Sequence, residues 1–319
     1  MGHAQAPLAR GCGILRLPAP PQGGRLTTPD AYTRGQDGGG PDTPKRLIIT
    51  ADDFGADISV NEAVERAHTQ GILTAASLMV GGAAVEDAVA RARRLPGLGV
   101  GLHVVLADGA PVLPPEQIPA LVGPDGRFPA DMLRTALRIA LSPAARAQMQ
   151  AEVAAQFAAF AATGLPLDHV NAHKHFHLHP MIAAAMLRCG RQYGLRAIRV
   201  PAQPGGGMMA AWARLLARGW RARGLMTNDA VAGLTQSGAF DTPAMLAALA
   251  AIGPGLTELY THPATRNAYD GSAAGYRYRD ELAALIDPQV IAAVAASGAQ
   301  TGSFARWADG PVAQQVEAA

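Results

Sequence analysis

Aspartates and histidines, which can bind metal ions, cluster at a few points of this 319-residue chain. Two adjacent aspartates, Asp52 and Asp53, follow a short apolar run. Seven of the nine histidines lie in just three places, at His103, at His169, His173, His175, His177 and His179, and at His262. A carboxylate and two imidazoles with an open fourth position form the usual catalytic zinc-type site. We therefore expect one aspartate to bind an ion and the other to act as a base toward water. Alternatively, the pair caps the next helix.

The alternate histidines at 173–179 are too widely spaced along an extended chain to share one ion. Two residues of a strand span about 6.5–6.8 Å, whereas the ligand atoms around one zinc lie within ~4 Å of one another. Pro180 biases His179 away from the helical conformation and suits the first turn of a helix. The segment is thus predicted to be a strand end and a loop leading into a helix near residue 180. One histidine would bind the metal, and the others would orient ligands or line the pocket.

The composition is that of a globular chain with a large core. Hydrophobic residues make up 49%, charged residues 16%, and the net charge is +2, which excludes wholesale disorder and disfavours a nucleic-acid partner. No apolar run approaches the ~20 residues that span a bilayer, and the first 30 residues lack a secretory-signal pattern. Two cysteines are too few for a disulfide scaffold. We expect a cytoplasmic protein.

Short apolar runs alternate with Ala-rich helical segments from Lys45 onward. The predicted strands are 46–50, 73–80, 98–106, 167–173, 196–201, 225–230, 256–262 and 301–305. The predicted helices are 59–70, 84–94, 142–163, 180–193, 208–221, 243–252 and 287–297. This alternation predicts an α/β fold, a closed or distorted (β/α) barrel of seven or eight mostly parallel strands; an open doubly wound sheet is the alternative. Either fold brings the polar strand ends to one edge of the sheet.

The domain prediction is one body with two extensions. Residues 1–44 hold nine glycines and seven prolines without a hydrophobic period, which predicts a flexible arm. The barrel domain is predicted at 45–308, followed by a flexible tail at 309–319.

Four segments together resemble the YdjC-like carbohydrate deacetylase family. They are RLIITADDFG at 46–55, GLH at 101–103, DHVNAHKHFHLHP at 168–180 and YTHPA at 260–264. The sequences around the first and third of these segments are most similar to the hopanoid-biosynthesis-associated branch of the family, HpnK. The resemblance implies a distorted (β/α) barrel related to polysaccharide deacetylases. It also implies one divalent metal ion, most simply Zn or Mg, bound by Asp53, His103 and His173.

The chain departs from the family pattern at two positions of the His-rich segment. Asn171 stands where the family usually has Asp, and Lys174 stands where His is frequent. Asn171 weakens any role that needs a negative charge, but an amide can still hold a ligand by hydrogen bonding.

Hydrolysis of an acetamide needs a base, an oxyanion partner and an acid. Asp52 is placed to take a proton from water, and His262 is the candidate acid for the departing amine. Arg199 would pair with Asp52 and lower the pKa of that carboxyl, or would simply anchor a barrel strand.

Candidates for substrate binding follow the same strand ends. Tyr269, Tyr276 and Tyr278 lie on a glycine-punctuated stretch after His262 and could stack on a pyranose ring, although loop packing explains them equally well. His175 and His177 are further candidates.

The branch resemblance also implies a lipid-linked substrate, an N-acetylglucosaminyl hopanoid (bacteriohopanetetrol) head group. One broad helical face of 208–221 carries Met208, Met209, Trp212, Leu215, Leu216 and Trp220, and arginines lie opposite. This pattern suits a helix at an anionic membrane surface, but a helix packed on the sheet through the same face is the favoured interpretation.

Several alternatives remain open. A soluble N-acetylated oligosaccharide such as chitobiose could be the substrate. A metal glycosidase or phosphoesterase could use the same barrel, although a glycosidase usually needs two flanking carboxylates. A protein that buffers metals through its histidines is the non-enzymatic alternative. A homodimer also stays open.

Overall fold

A curled, all-parallel sheet lies at the centre of the fold. The computed structural model describes residues 43–308, so most of the predicted arm at 1–44 and the whole tail at 309–319 lie outside the described residues. Within them the strands are β1 (Lys45–Phe54), β2 (Ala75–Leu78), β3 (Gly99–Val104), β4 (Val170–Ala172), β5 (Ala230–Ala232), β6 (Gly255–Thr261) and β7 (Gln300–Thr301). Their order is β4-β3-β2-β1-β6-β5, with β7 also paired to β1, and every strand pair is parallel.

Helices connect the strands, as the alternating pattern predicts. They are α1 (Ile58–Gln70), α2 (Val85–Ala92), α3 (Met132–Leu141), α4 (Pro143–Ala162), α5 (Pro180–Gln192), α6 (Gly207–Arg221), α7 (Thr242–Ala250), α8 (Tyr278–Leu285), α9 (Pro288–Ala296) and α10 (Phe304–Ala308). Side-chain caps begin several of them: Asp57 accepts from the Ser59 amide at α1, and Ser142 accepts from the Ala145 amide at α4. Asp57, not Asp52 or Asp53, therefore caps the first helix, so the capping alternative for the aspartate pair is wrong.

The barrel has an irregular seam between β4 and β5. The predicted strands 196–201 and 225–230 contribute only two isolated parallel bridges, Val170 with Ile198 and Ala197 with Met226. Asn228 explains the interruption, because its side chain accepts from the Val200 amide at 2.8 Å and donates to the Val200 carbonyl at 2.8 Å. A side chain thus replaces the backbone ladder at this point. The result is a curled half-barrel surrounded by helices, consistent with a distorted (β/α) barrel.

The core fills the space between the sheet and the helices. Leu47, Ile48 and Ile49 of β1 are fully buried, so this strand is covered on both faces. In residues 43–308 no helix is both long enough and apolar enough to cross a membrane.

Helix α6 packs through small residues rather than through its large ones. Ala210, Ala213, Ala217 and Trp220 form its buried face, whereas Met208 is 90% exposed. The favoured interpretation, in which the Met and Trp face packs on the sheet, is therefore wrong for most of that face. Only Trp220, which is buried, and Leu216, which is partly buried against the core, follow it.

Candidate active site

Three side chains from three strand ends meet at the carboxyl edge of the sheet. Asp53 lies near the end of β1, His103 lies in β3, and His173 directly follows β4. Asp53 Oδ1 is 3.3 Å from His103 Nε2 and 3.1 Å from His173 Nδ1, and these two nitrogens are 3.4 Å apart. Among residues 43–308, these three residues form the one group of three or more His, Cys, Asp or Glu side chains that could hold a metal ion.

A local irregularity of β1 lets both adjacent aspartates reach the site. Successive side chains of a regular strand point to opposite faces. The pairing of β1 with β2 shifts register between Ala51 and Phe54, and Asp53 has a φ of 64°. This left-handed conformation is uncommon for a residue with a Cβ, and such strain is concentrated at functional sites.

The donor set fits a cation. His103 Nδ1 lies 2.6 Å from Asn171 Oδ1, an acceptor, so this nitrogen carries a proton. In a neutral ring the lone pair then lies on Nε2, facing the Asp53 carboxylate and the His173 ring. Burial opposes the charged form of His103, but Asp52 and Asp53 raise its pKa above the usual value, so the site favours positive charge. A divalent metal satisfies all three acceptors together.

A chain of hydrogen bonds runs from His103 into the protein interior. Asn171 Nδ2 donates to Ser77 Oγ at 2.8 Å, leaving the Ser77 hydroxyl to donate to His169 Nε2 at 3.0 Å. His169 Nδ1 then donates to Asp168 Oδ2 at 2.9 Å. We refer to Asp168, His169, Ser77 and Asn171 as the orienting chain. It fixes which nitrogen of His103 faces the metal position.

Most of the orienting chain was not predicted from the sequence. His169 was expected only as one of the clustered histidines, and Asn171 only as a departure from the family pattern. Strand register would have revealed the chain, because Ser77 pairs with Gly101 and His103 pairs with Asn171 across neighbouring strands. Register is set by the assembled sheet and is not visible in one sequence.

Asp52 belongs to a buried ionic cluster behind the metal ligands. Arg199 donates to both Asp52 oxygens, at 2.6 and 2.9 Å, and to Glu258 Oε1 at 2.7 and 2.9 Å. Burial alone would raise the pKa of Asp52, but Arg199 and then His103 hold the pKa well below its usual range. Asp52 is therefore ionised at neutral pH. Glu258 is a second carboxylate of the cluster, and it was not predicted from the sequence.

His262 faces the same edge from the end of β6. Its Nε2 lies 2.8 Å from the Tyr260 hydroxyl, and its backbone amide donates to Glu281 Oε2 at 2.5 Å. Burial and then the charge of Asp52 raise the pKa of Tyr260 well above its usual value, so the phenol keeps its proton. His262 Nδ1 is buried and has no hydrogen-bond partner within residues 43–308.

The remaining histidines of the His-rich segment do not join the metal ligands. His177 is fully buried, and its Nε2 donates to the Arg199 carbonyl at 3.0 Å. Burial lowers the pKa of His177 to about 3, and burial with the Arg199 charge also lowers the pKa of His175 well below its usual value. Both rings are therefore neutral at pH 7. His175 lies 5.2 Å from the Tyr260 ring, next to the ionic cluster.

The three tyrosines form one aromatic group beside His262. The Tyr276 ring lies 5.6 Å from His262 and 5.4 Å from Tyr278, which in turn lies 5.2 Å from Tyr269. Tyr278 begins α8 and is 2% exposed. Tyr276 is thus the one of these three tyrosines that lies next to the candidate acid, and Tyr278 packs in the core.

The family model for YdjC-like proteins matches residues 46–296. The chain belongs to the YdjC-like family. A carbohydrate deacetylase of Geobacillus stearothermophilus is 31% identical over 260 residues, which cover 81% of this chain and 96% of that protein. A chitooligosaccharide deacetylase of Serratia marcescens is 35% identical over 139 residues, 43% of this chain and 53% of that enzyme. Matches to several other curated relatives likewise span about half of those proteins' own length.

A solved structure shares the fold. The crystal structure of an Enterococcus faecalis protein, proposed to cleave cellobiose phosphate, superposes with a TM-score of 0.69. The sequences are 23% identical, and the superposition covers 83% of this chain and 99% of that protein.

Proposed function

We propose that this YdjC-like protein is a metal-dependent carbohydrate N-deacetylase, which removes the acetyl group from an N-acetylated amino sugar. The observation that carries the proposal is the convergence of Asp53, His103 and His173, with Asp52 and His262 at the same edge of the sheet. Relatives named carbohydrate deacetylase and chitooligosaccharide deacetylase support the substrate class.

Asp53, His103 and His173 would hold the metal, and the orienting chain would keep His103 Nε2 turned toward it. A divalent metal in such a site supplies a Lewis acid for the acetyl carbonyl and lowers the pKa of water toward ~7. The three ligands do not identify the metal, because Zn²⁺ and other first-row ions bind ligands of the same types and number.

Asp52 acts as the general base and Arg199 as its positioning residue. Each carboxylate oxygen has two lone pairs, so the bonds from Arg199 leave Asp52 able to accept a proton from the attacking water. A carboxylate of low pKa is a weak base. It can therefore take a proton only from a water molecule whose own pKa has been lowered. The site thus needs both Asp52 and the metal.

His262 supplies the proton that the amine needs. Water oxygen forms a bond to the acetyl carbon, the C–N bond breaks, and acetate and the free amino sugar leave. The Tyr260 hydroxyl occupies Nε2 of His262, so the unpartnered Nδ1 is the atom that would face the departing nitrogen. Tyr276, beside His262, is the candidate for stacking on the sugar ring. His175, His177, Tyr269 and Tyr278 would support the pocket walls.

For the natural substrate we propose an N-acetylglucosaminyl hopanoid, the bacteriohopanetetrol glycolipid. Support comes from the resemblance of the ADDFG and LPLDHVNAHKHFHLHP segments to the HpnK branch. A soluble oligosaccharide is the second candidate, supported by the Serratia marcescens relative.

The test is a parallel incubation of metal-loaded protein with N-acetylglucosaminyl bacteriohopanetetrol and with N-acetylated chitobiose. Mass spectrometry would follow loss of an acetyl group from each. We expect deacetylation of the glycolipid to dominate. Deacetylation of chitobiose alone would reject the lipid substrate and keep the activity, whereas no deacetylation of either would reject the proposed activity for these substrates.

A further inference from the structure

We propose that a surface beside the active site docks onto an anionic lipid bilayer. The surface comprises the exposed apolar residues of α3 and α6, here called the docking face: Leu133, Leu137, Leu141, Met208, Met209, Trp212 and Leu215. The inference goes beyond the deacetylase proposal, because it concerns where the protein works and would hold for any substrate presented at a membrane.

Exposed apolar side chains are concentrated on these two helices. Of the nine large hydrophobic residues exposed within 43–308, seven belong to the docking face. Leu133, Leu137 and Leu141 recur every four residues, so they form one stripe along α3, and they are 72%, 52% and 79% exposed. Contiguous exposed apolar patches mark interaction sites, whereas isolated exposed residues do not.

The two helices flank a single segment of the chain. On one side, Trp212 Nε1 of α6 donates to the Leu178 carbonyl at 2.9 Å. On the other side, the adjacent His179 imidazole hydrogen-bonds to the backbone of Ala136 in α3. The stripes of α3 and α6 therefore lie on neighbouring parts of one surface.

This surface lies at the same edge of the sheet as the active site. Helix α3 is part of the connection between the end of β3 and the start of α4, so it lies beyond the carboxyl end of β3. The segment that α3 and α6 flank directly continues the short helix His173–Leu178, which begins with a metal ligand. A membrane on the docking face would thus lie beside the entrance of the site.

The charges around the docking face are those that an anionic membrane attracts. Helices α3, α5 and α6 contain no Asp or Glu, and they carry Arg134, Arg138, Arg188, Arg191, Arg214, Arg218 and Arg221. Acidic groups beside these helices have local partners: Asp131 caps α3, and Asp229 pairs with Arg221. Asp108 and Asp125, which line a pocket with Arg134 and Arg138, pair with Lys174 and accept from the Arg127 amide, respectively. Apolar residues flanked by arginines suit the boundary between acyl chains and anionic head groups.

The same charges disfavour a second copy of the chain as the occupant. A two-fold dimer through this surface would place the same arginine-bearing helices against each other without any carboxylate from α3, α5 or α6 to pair with them. Like charges brought together across an interface oppose association. The bilayer is therefore the occupant that the charges favour.

The experiment is vesicle co-sedimentation of the full chain. Vesicles of phosphatidylcholine with phosphatidylglycerol are compared with phosphatidylcholine alone, using the wild type, the double variant Leu137→Glu/Met208→Glu, and the control Ile291→Glu. Ile291 is also exposed, at 38%, but lies on α9. We expect the wild type and the control to bind the anionic vesicles, with binding weakened by salt, and the double variant to bind about tenfold or more weakly.

Equal vesicle binding by the double variant and the wild type, or no binding by the wild type, would overturn the proposal. Sedimentation velocity without lipid tests the other occupant: a wild-type dimer that the double variant abolishes would assign the surface to a second copy. Circular dichroism confirms that each variant is folded. Hydrolysis of soluble N-acetylated chitobiose keeps the two proposals separate, because the double variant should retain any such activity of the wild type.

Discussion

Asp52 is the residue whose proposed role depends most on its neighbours. Arg199 lowers the pKa of its carboxyl and fixes its orientation through two hydrogen bonds. Because its pKa is lowered, Asp52 is a weak base. Asp53, the adjacent residue, has no such arginine and faces two imidazoles instead. Two adjacent residues of one type thus have different environments, which supports different roles for them.

Substitution of Asp52 by Asn should separate these roles. Asn can still accept from Arg199 but cannot accept a proton from water, so Asp52→Asn should keep its metal and lose about 10²–10⁴-fold in kcat. Asp53→Ala is the matched comparison, which should lose both metal and activity. Metal content and acetate release would be measured on the same samples. Undiminished acetate release by Asp52→Asn would remove Asp52 as the base.

The orienting chain predicts an effect of a residue that touches no metal ligand. Ser77→Ala removes the link between Asn171 and His169. The amide of Asn171 then keeps only its longer bond to Asp52 Oδ1, at 3.2 Å, and orients the ring of His103 less firmly. We expect the affinity for Zn²⁺, measured by competition with a chelator, to fall about 10–100-fold. Ser297→Ala, the same chemical change at the end of α9, should leave the affinity unchanged. Equal affinities of the two variants would reject the role of the orienting chain.

At the scale of the elements, several helices were predictable from Ala-rich segments with helical spacing. The segments expected at 59–70, 142–163 and 180–193 appear as α1, α4 and α5, with ends shifted by one residue at most. Apolar periodicity and local caps are properties of the sequence itself, so these helices could be read directly.

Elements held by distant residues were not predictable. The strand expected at 301–305 ends at Thr301, and α10 begins at Phe304 because Asp168 accepts hydrogen bonds from the Phe304 and Ala305 amides. The cap comes from more than 130 residues earlier in the chain. Helix α3 was not predicted, although Leu133, Leu137 and Leu141 recur at helical spacing; the structure turns these leucines outward.

The segment that carries His173 is both strained and buried. Lys174 and His175 have φ values of 52° and 55°, and together they redirect the chain from β4 to α5. His177 then fixes the segment by donating to the Arg199 carbonyl. Its pKa of about 3 lies below the value of ~6.5 in an unfolded chain, so folding favours the neutral ring. This contribution to stability is complete above pH 6.5 and is lost as pH falls toward 3.

The variant His177→Gln tests that contribution. The wild type should lose about 1.4 kcal/mol of unfolding free energy per pH unit below 6.5 through this one group, and the variant should not. The loss of unfolding free energy caused by the substitution should therefore be about 2 kcal/mol smaller at pH 5 than at pH 7. Urea unfolding of both proteins at the two pH values measures the difference. A cost that does not change with pH would mean that His177 is not held neutral.

At the scale of the whole molecule, parallel topology brings the site together. Asp53, His103 and His173 are up to 120 residues apart in sequence, but β1, β2, β3 and β4 are consecutive in the sheet and end at one edge. The family resemblance implied these three ligands, whereas the pattern of strand ends left open which histidine of 173–179 would join them. The distances and the ionic cluster around Arg199 required the assembled barrel. Glu258 shows the difference, because a carboxylate inside an apolar strand carries no signal of its partner.

The arrangement also bears on the alternatives. A metal-buffering protein would be expected to offer several sites, but only one group of three potential ligands occurs in residues 43–308. A glycosidase needs a second carboxylate to flank the scissile bond opposite Asp52. Here Glu258 is fully buried and paired with Arg199, and Asp53 faces two imidazoles. Both observations favour a single-metal hydrolase.

The most direct measurement is metal stoichiometry and affinity in the wild type and in Asp53→Ala. Purified chains would be stripped with chelator, titrated with Zn²⁺ by calorimetry, and analysed for bound metal by mass spectrometry. We predict one tightly bound ion per wild-type chain and none at comparable affinity in Asp53→Ala, with the fold of the variant checked by circular dichroism. Several weakly bound ions in the wild type, or equally tight binding by Asp53→Ala, would contradict the assignment of Asp53, His103 and His173 as the metal site.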